Sequence, residues 1–341
     1  MVQKIAKKSR TWTAFGDIKR KPNQYEVLTH GMNYTLRPNV AAPLESNPTS
    51  PMNMWLKTYR DQSPLHIDDW DTFRDPDRLI YTKYVNMQNT AENEVTGIIE
   101  KFNKINHDQQ INNDLLNLIA KSFTPQRYLV HGYQLLASYL AHTAPSSYIT
   151  NVAAFSAGDT LRRNSLVALR TKMLQDAHPS IGFGLNEKEI WEKNENWQPI
   201  RLLIEHSLIA YDWGESLVSV NLMTRTCLDE ILLQQLGLVC ERENDKLTWL
   251  IISNIYNDSV RLTKWTKALI KHSIDKNSKN INVIQNWVNN WYQKVLNAAD
   301  SGATLVTDLN TNNLNKKDVF AAGQDKLNNV LDECGLKVPT L

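Results

Sequence analysis

Two short stretches of this sequence repeat one pattern of chemically capable residues. Asp159-Thr160-Leu161-Arg162 and Asp258-Ser259-Val260-Arg261 each place an acid, a hydroxyl, an aliphatic and an arginine in succession. Both lie where the apolar spacing is helical. Acids that face one another inside a helical bundle can hold metal, and bundles that bind two irons use a recognisable ligand set. That set is one Glu from each of two helices and Glu-x-x-His from each of the other two. No Asp or Glu here is followed three residues later by His, and neither HxxH nor HExxH occurs.

Di-iron oxygenases commonly write the ligand motif as Asp-Glu-x-Arg-His. Laid over 159–163 and 258–262, the Asp and Arg are kept in both copies. The ligand slots hold Thr160 and Arg163 in the first and Ser259 and Leu262 in the second. A hard cation needs carboxylate oxygen and imidazole nitrogen, which these four residues lack. A guanidinium about 5 Å from a divalent ion, at an effective dielectric near 20, repels it by roughly 6–7 kcal/mol. Between Pro125 and Gly158, and again between Ser216 and Leu228, there is no Asp or Glu. The expected ligand regions read as empty. The bland reading is that Asp159 with Arg162 or Arg163, and Asp258 with Arg261, are ordinary pairs within a helix, worth a few tenths of a kcal/mol.

Other motifs carry less. His131 and His142 share a helix face with no acid nearby, as satisfied core histidines would. Gly182-x-Gly184 lacks the rest of a dinucleotide fingerprint, and no P-loop or GxSxG occurs. Trp213, Trp249, Trp265, Trp287 and Trp291 read as packing. No acid–base constellation stands out, and the chain reads as non-catalytic, with no catalytic, cofactor or metal residue of its own.

The elements that must position these residues are helices. Ile80, Tyr84, Met87, Ala91, Val95, Ile98 and Phe102 recur at three- and four-residue steps, the signature of one long amphipathic helix. Further helical stretches are expected near 109–122, 126–143, 149–176, 199–236, 247–273, 280–299 and 317–333. Asp75-Pro76, Thr124-Pro125, Ala144-Pro145 and Gln198-Pro199 mark starts, while Gly182, Gly184 and Gly237 mark breaks. Strand alternation is nearly absent, so the fold class is all-α, a bundle of long helices. Three segments follow: an extended Pro- and aromatic-rich arm over 1–75, a helical domain over 76–300, and a peripheral helix or tail over 301–341. The arm holds too many aromatics for a disordered tail, and reads as laid across its own body or a neighbour's.

Composition sets the outer limits. The chain has 341 residues, 42% of them hydrophobic, with ten Trp, enough for a sizeable core. Its net charge of +2 does not suggest nucleic acid or a membrane as main partner. Three separated cysteines form no CxxC pair, which fits a reducing cytosol and a cytoplasmic protein. No signal-peptide core or bilayer-length apolar run is present.

Several longer stretches resemble a known family: "RTWTAFGDIKRKPNQYEV" (10–27), "SPMNMWLKTYRDQSPLHIDDWDTFRDPDRLIYTKYVNMQ" (50–88), "APSSYITNVAAF" (144–155), "YDWGESLVSVNL" (211–222) and "KWTKALIKH" (264–272). They are similar to the β subunit of the hydroxylase component of soluble di-iron monooxygenases, nearest the toluene/o-xylene type. The resemblance runs from about residue 10 to residue 300. It implies a ferritin-like subunit, paralogous to an iron-bearing α subunit, that has lost its own iron site. It also implies α and γ partners in a heterohexamer, with the di-iron centre in α. Electrons would come from NADH through a reductase and a Rieske ferredoxin, and a small effector protein would adjust the α site. The contrasting reading is a stand-alone ferritin-like oxidase or metal protein with an unusual site.

Overall fold

The computed structural model describes residues 20–30, 49–308 and 315–340. Among these residues the regular structure is helical and no strand occurs. Two helix hairpins form the centre. The first joins α5 (Gln126–Thr143) to α6 (Ser147–Ala177). The second joins α9 (213–242) to α10 (Lys246–Lys276). Connections this short oblige each pair to run antiparallel. At 31 residues each, α6 and α10 are about 46 Å long at 1.5 Å per residue.

The preceding helices are short, apart from α3. They are α1 (Gln24–Thr29), α2 (Pro51–Leu56, continued by a π turn Lys57–Asp61), α3 (Tyr81–Asn103) and α4 (Asn113–Ser122). Between the hairpins come α7 (Glu187–Lys193) and α8 (Gln198–Leu208), and after them α11 (Asn280–Thr307) and α12 (Lys316–Glu333). Local chemistry fixes the starts. Ser146 caps α6 through the Tyr148 N–H, and Asp245 caps α10 through the Thr248 N–H at 2.9 Å.

The helix α9 runs over 213–242 and is composite. Ordinary segments Trp213–Ser216, Arg225–Asp229 and Leu236–Arg242 alternate with π segments Leu217–Thr224 and Glu230–Gln235. Every residue from Leu217 to Asp229 is buried, which is the pattern of a helix surrounded by others. The wider π turns shift the register, so Arg225 and Asp229 meet the facing hairpin although the sequence around them is apolar.

The structure departs from the sequence reading at several places. The stretch 199–236 is broken at 209–212, and Asp212 restarts it as the cap of α9. Gly237 continues its helix; a Cβ there would lie 3.2 Å from Ile252 Cγ2. Asp75-Pro76 precedes a turn, and α3 begins at Tyr81. The described part of the N-terminal region packs on the chain's own body, with Leu65, Ile67, Trp70 and Phe73 buried. Trp70 stands edge-on to Trp213 with centroids 5.0 Å apart. Residues 1–19 and 31–48 of the expected arm lie outside the described residues. At the other end the expected helix is α12, which buries Val319, Leu327, Val330 and Leu331. His131 and His142 are exposed rather than core, and bond to Gln134 and to the Met52 sulfur.

The close approach of α5 to α8 depends on Gly132, where a Cβ would lie 2.5 Å from Ile204 Cγ1. Overpacking of this kind costs about 1–3 kcal/mol. Gly132→Ala is therefore expected to lower the unfolding free energy from urea titration by that amount with no change in far-UV circular dichroism.

Candidate functional site

The repeated motifs meet at the centre of the two hairpins. Arg162 on α6 donates to Asp258 on α10 at 3.0 Å, and Arg261 on α10 donates to Asp159 on α6 at 2.6 Å. Each copy of the pattern thus supplies the acid for the other copy's arginine. The expectation of pairs confined to one helix holds only for Arg261 with Asp258, at 3.1 Å. Helix α3 lies across the crossing. Gln88 Nε2 donates to Asp159 at 2.8 Å and to Asp258 at 2.9 Å, and Tyr84 Oη donates to Asp159 at 3.0 Å. Glu92 takes the Arg162 Nε at 2.5 Å.

Because both acids touch one amide nitrogen, they lie within about 6 Å of each other, and at an effective dielectric near 20 they repel by roughly 3 kcal/mol. Burial, and then the Asp258 charge, raise the Asp159 carboxyl to about 6, against the pull of Arg261 and the Tyr84 hydroxyl.

One helical turn deeper, Arg163 sits where the motif would carry a histidine. Its Nη1 donates to Asp229 at 2.6 Å and its Nη2 to Gln126 Oε1 at 2.9 Å. The Ser259 hydroxyl donates to the other Asp229 oxygen at 2.6 Å. Arg225 lies 3.5 Å from that same oxygen and donates to the Ser156 hydroxyl at 3.0 Å. The guanidinium groups of Arg163 and Arg225 both stand over the Tyr133 ring, at 5.9 and 5.3 Å. Burial alone would raise the Asp229 carboxyl, but the two arginines overcome it and hold the group below its ordinary range.

The four slots named from sequence fare differently. The geometry brings Arg163 and Ser259 together through Asp229. Thr160 spends its hydroxyl on Ala157 O of its own helix at 2.8 Å, and Leu262 lines a cavity of about 10 Å³ with Leu79, Val152 and Trp265. Sequence reasoning missed Asp229 and Gln126. Asp229 follows directly on the acid-free stretch 217–228. The signal was present: Arg225-x-x-x-Asp229 is a charge pair inside an otherwise apolar run.

This donor set does not suit a divalent ion. Its one inner carboxylate already faces two guanidinium groups, and a third cation there would be repelled by both. Among the described residues no group of three or more His, Cys, Asp or Glu is placed to hold a metal. Burial raises the Cys227 thiol to about 12, away from nucleophilic use.

A second buried hub secures the far end of α6. Arg170, fully buried, donates to Thr248 Oγ1 at 2.7 Å, to Asp108 at 2.6 Å and to both Asp245 oxygens at 3.3 Å. His107 lies 3.1 Å from Asp245. Burial raises the Asp245 carboxyl, but Arg170 and its hydrogen bonds win and hold it at about 2.

Breaking a buried pair on one side leaves an uncompensated charge and costs about 3–5 kcal/mol, whereas an apolar pair of similar volume is tolerated. Asp229→Asn, which leaves Arg163 and Arg225 without their carboxylate, is expected to lower the unfolding free energy by that amount in urea titrations, whereas Arg163→Met, which leaves Asp229 paired with Arg225, should cost less. Asp245 is depressed in the fold, so its contribution is present above the ordinary carboxylate range near 4 and lost as pH falls through about 2. Stability measured from pH 5 to pH 2 should fall by about 2–3 kcal/mol through this group, and Asp245→Asn should lack that component.

Comparison with known proteins bears on the same region. Residues 55–277 match the family model described as Methane/Phenol/Alkene Hydroxylase. The toluene-4-monooxygenase system hydroxylase component subunit beta of Ectopseudomonas mendocina is 36% identical, over 88% of this chain and 91% of that one. The solved structure of toluene 4-monooxygenase with toluene bound in its resting active site superposes with a TM-score of 0.79 at 36% identity, covering 84% of this chain and 94% of that one. Xenon-pressurised phenol hydroxylase from Pseudomonas sp. OX1 shares the fold, with a TM-score of 0.81 at 16% identity over 100% of this chain and 98% of that one. The long-helix hairpins, the crossed Asp/Arg repeats and the sequence match lead to one conclusion: this chain belongs to the methane/phenol/alkene hydroxylase family.

Proposed function

We propose that this chain is the non-catalytic β subunit of a multicomponent hydroxylase that inserts one oxygen atom of O2 into an aromatic hydrocarbon with NADH-derived electrons. The observation that carries the reading is the Arg163–Asp229 pair. A fixed guanidinium stands at the crossing where the family's catalytic chains would hold a metal ligand, and it ties α5, α6, α9 and α10 together through Gln126, Asp229 and Ser259. Thr160, Arg163, Ser259 and Leu262 are then the degenerate ligand positions. The di-iron centre and the hydrocarbon pocket belong to an α subunit, and two copies each of α, β and γ make the hydroxylase. An effector protein and a Rieske ferredoxin complete the system.

The body of the chain supports a role in assembly. Helix α3 has 23 residues, of which only Val95 is buried. Beside it, Leu161 is 50% exposed and Val260 49% exposed, each the aliphatic member of a repeated motif. On α3 itself Tyr81, at 74% exposure, and Val85 are exposed among polar residues that include Lys83, Glu92 and Glu94. Obligate interfaces bury apolar surface of this kind. The face around the two motifs and α3 is accordingly the seat of the α subunit. No helix of the described residues is long and apolar enough to cross a membrane.

Two measurements test the reading. The isolated chain should hold no stoichiometric iron, while the complex formed by co-expression with its α and γ partners should hold iron in α alone; iron bound tightly by the lone chain, with turnover, would refute it. Residues 20–30 and 49–75 pack on the body, with Tyr25 buried beside Tyr148, so truncation must stop before them. Deleting 1–19 should leave a folded chain that assembles weakly, and an intact hexamer by size-exclusion chromatography after that truncation would refute a part for those residues in assembly.

A further inference from the structure

We infer that the small cavity between α6, α10 and the turn leading into α3 is a binding site for one ordered water molecule, which accepts a hydrogen bond from Trp265 and donates to the carboxylates of Asp75 and Asp159. The inference concerns the chain itself and is independent of the β-subunit reading.

Three observations carry it. The first is space of the right size and polarity. The cavity of about 10 Å³ that Leu262 lines is also walled by Asp75, Ser156, Asp159, Arg261 and Trp265. That volume is the lower limit for a single water and too small for a larger ligand. The second is an unspent donor. Trp265 is 1% exposed, and its indole N–H has no acceptor among the described residues. Buried donors are seldom left so, because the hydration they give up is then not replaced. The third is unspent acceptor capacity. An ionised carboxylate offers about four lone-pair sites. Buried Asp75 uses one on the Asp77 N–H at 3.1 Å and one on the Leu79 N–H at 2.9 Å. Buried Asp159 takes Tyr84 and Gln88 on Oδ1 and Arg261 on Oδ2. Both acids therefore keep room for a further donor.

These features define the occupant by its chemistry. It must accept from an indole N–H and donate to a carboxylate. A metal cation fails the first requirement, since an N–H is no ligand and its hydrogen repels positive charge. A halide fails the second, having no hydrogen to give to the two acids beside it. Water meets both, with two hydrogens for the acids and two lone pairs. One lone pair takes the indole, and the Ser156 hydroxyl, which accepts from Arg225 Nη1 at 3.0 Å, has its own hydrogen to offer the other. A water in this place lies between two buried carboxylates and ties the turn that leads into α3 to the crossing of α6 and α10.

The test is a crystal structure of the full-length chain at a resolution that shows ordered water. One spherical peak is expected in the cavity, at about 2.7–3.2 Å from Trp265 Nε1 and from at least one carboxylate oxygen of Asp75 or Asp159. An empty cavity overturns the inference. So does a peak surrounded by oxygens alone at about 2.0–2.6 Å, the contacts of a bound cation. In solution, the indole proton of Trp265 should show a nuclear Overhauser cross-peak to water with the sign of a long-lived site. The resonance is the one absent from Trp265→Phe, with circular dichroism as the folding check on that variant. Absence of the cross-peak overturns the inference as well, and if the variant does not fold the crystal structure decides.

Discussion

The fold depends on the neutralisation of charge at its centre. Arg162, Arg163, Arg225 and Arg261 meet Asp159, Asp229, Asp258 and Glu92, four cations against four anions, in a region mostly closed to water. A charge isolated in such surroundings costs several kcal/mol, so each member fixes the place of another. Four long helices must come into one register for the accounts of charge to close. Apolar packing alone would tolerate a slip of a helical turn; this lattice of pairs does not. Buried ion pairs contribute little net stability over apolar substitutes, so what they supply here is a unique alignment of α6 with α10.

The composite helix α9 makes that alignment possible. It is buried on all sides over Leu217–Asp229, and its two π segments flank the short stretch that carries Arg225 and Asp229. Thr224 and Thr226 donate their hydroxyls to carbonyls five residues back, matching the wider turns and sparing the core an unpaired hydroxyl. Fully buried Trp197, Trp213 and Trp265 then fill space around the helices that the charges have aligned.

Much of this was legible in the sequence, for physical reasons. Long helices with one apolar face declare themselves by spacing, and the two 31-residue helices were visible within three residues of their ends. The repeat of Asp, hydroxyl, aliphatic and Arg was visible as well. Its crossed pairing was not, because Arg162 and Asp258 are far apart in the chain and only the packing of two hairpins brings them together. Asp229 was missed because π turns change which residues face inward, a shift that a period of 3.6 does not anticipate. The histidines misled for a related reason. His131 and His142 share a helix face, but spacing alone does not say whether that face looks to the core or to solvent. The N-terminal region was left open between its own body and a neighbour's, because prolines say nothing about which surface receives Trp70.

A helix of 23 residues that buries only Val95 has little to hold it except polar contacts at one end and a few half-buried apolar side chains at the other. Segments with so few buried contacts open at a small fraction of the global unfolding free energy. A copy of this chain made in excess would therefore offer cellular proteases a loosened stretch that incorporated copies do not. Surplus polypeptide would be cleared first, and the balance between subunits would be kept by turnover as well as by synthesis.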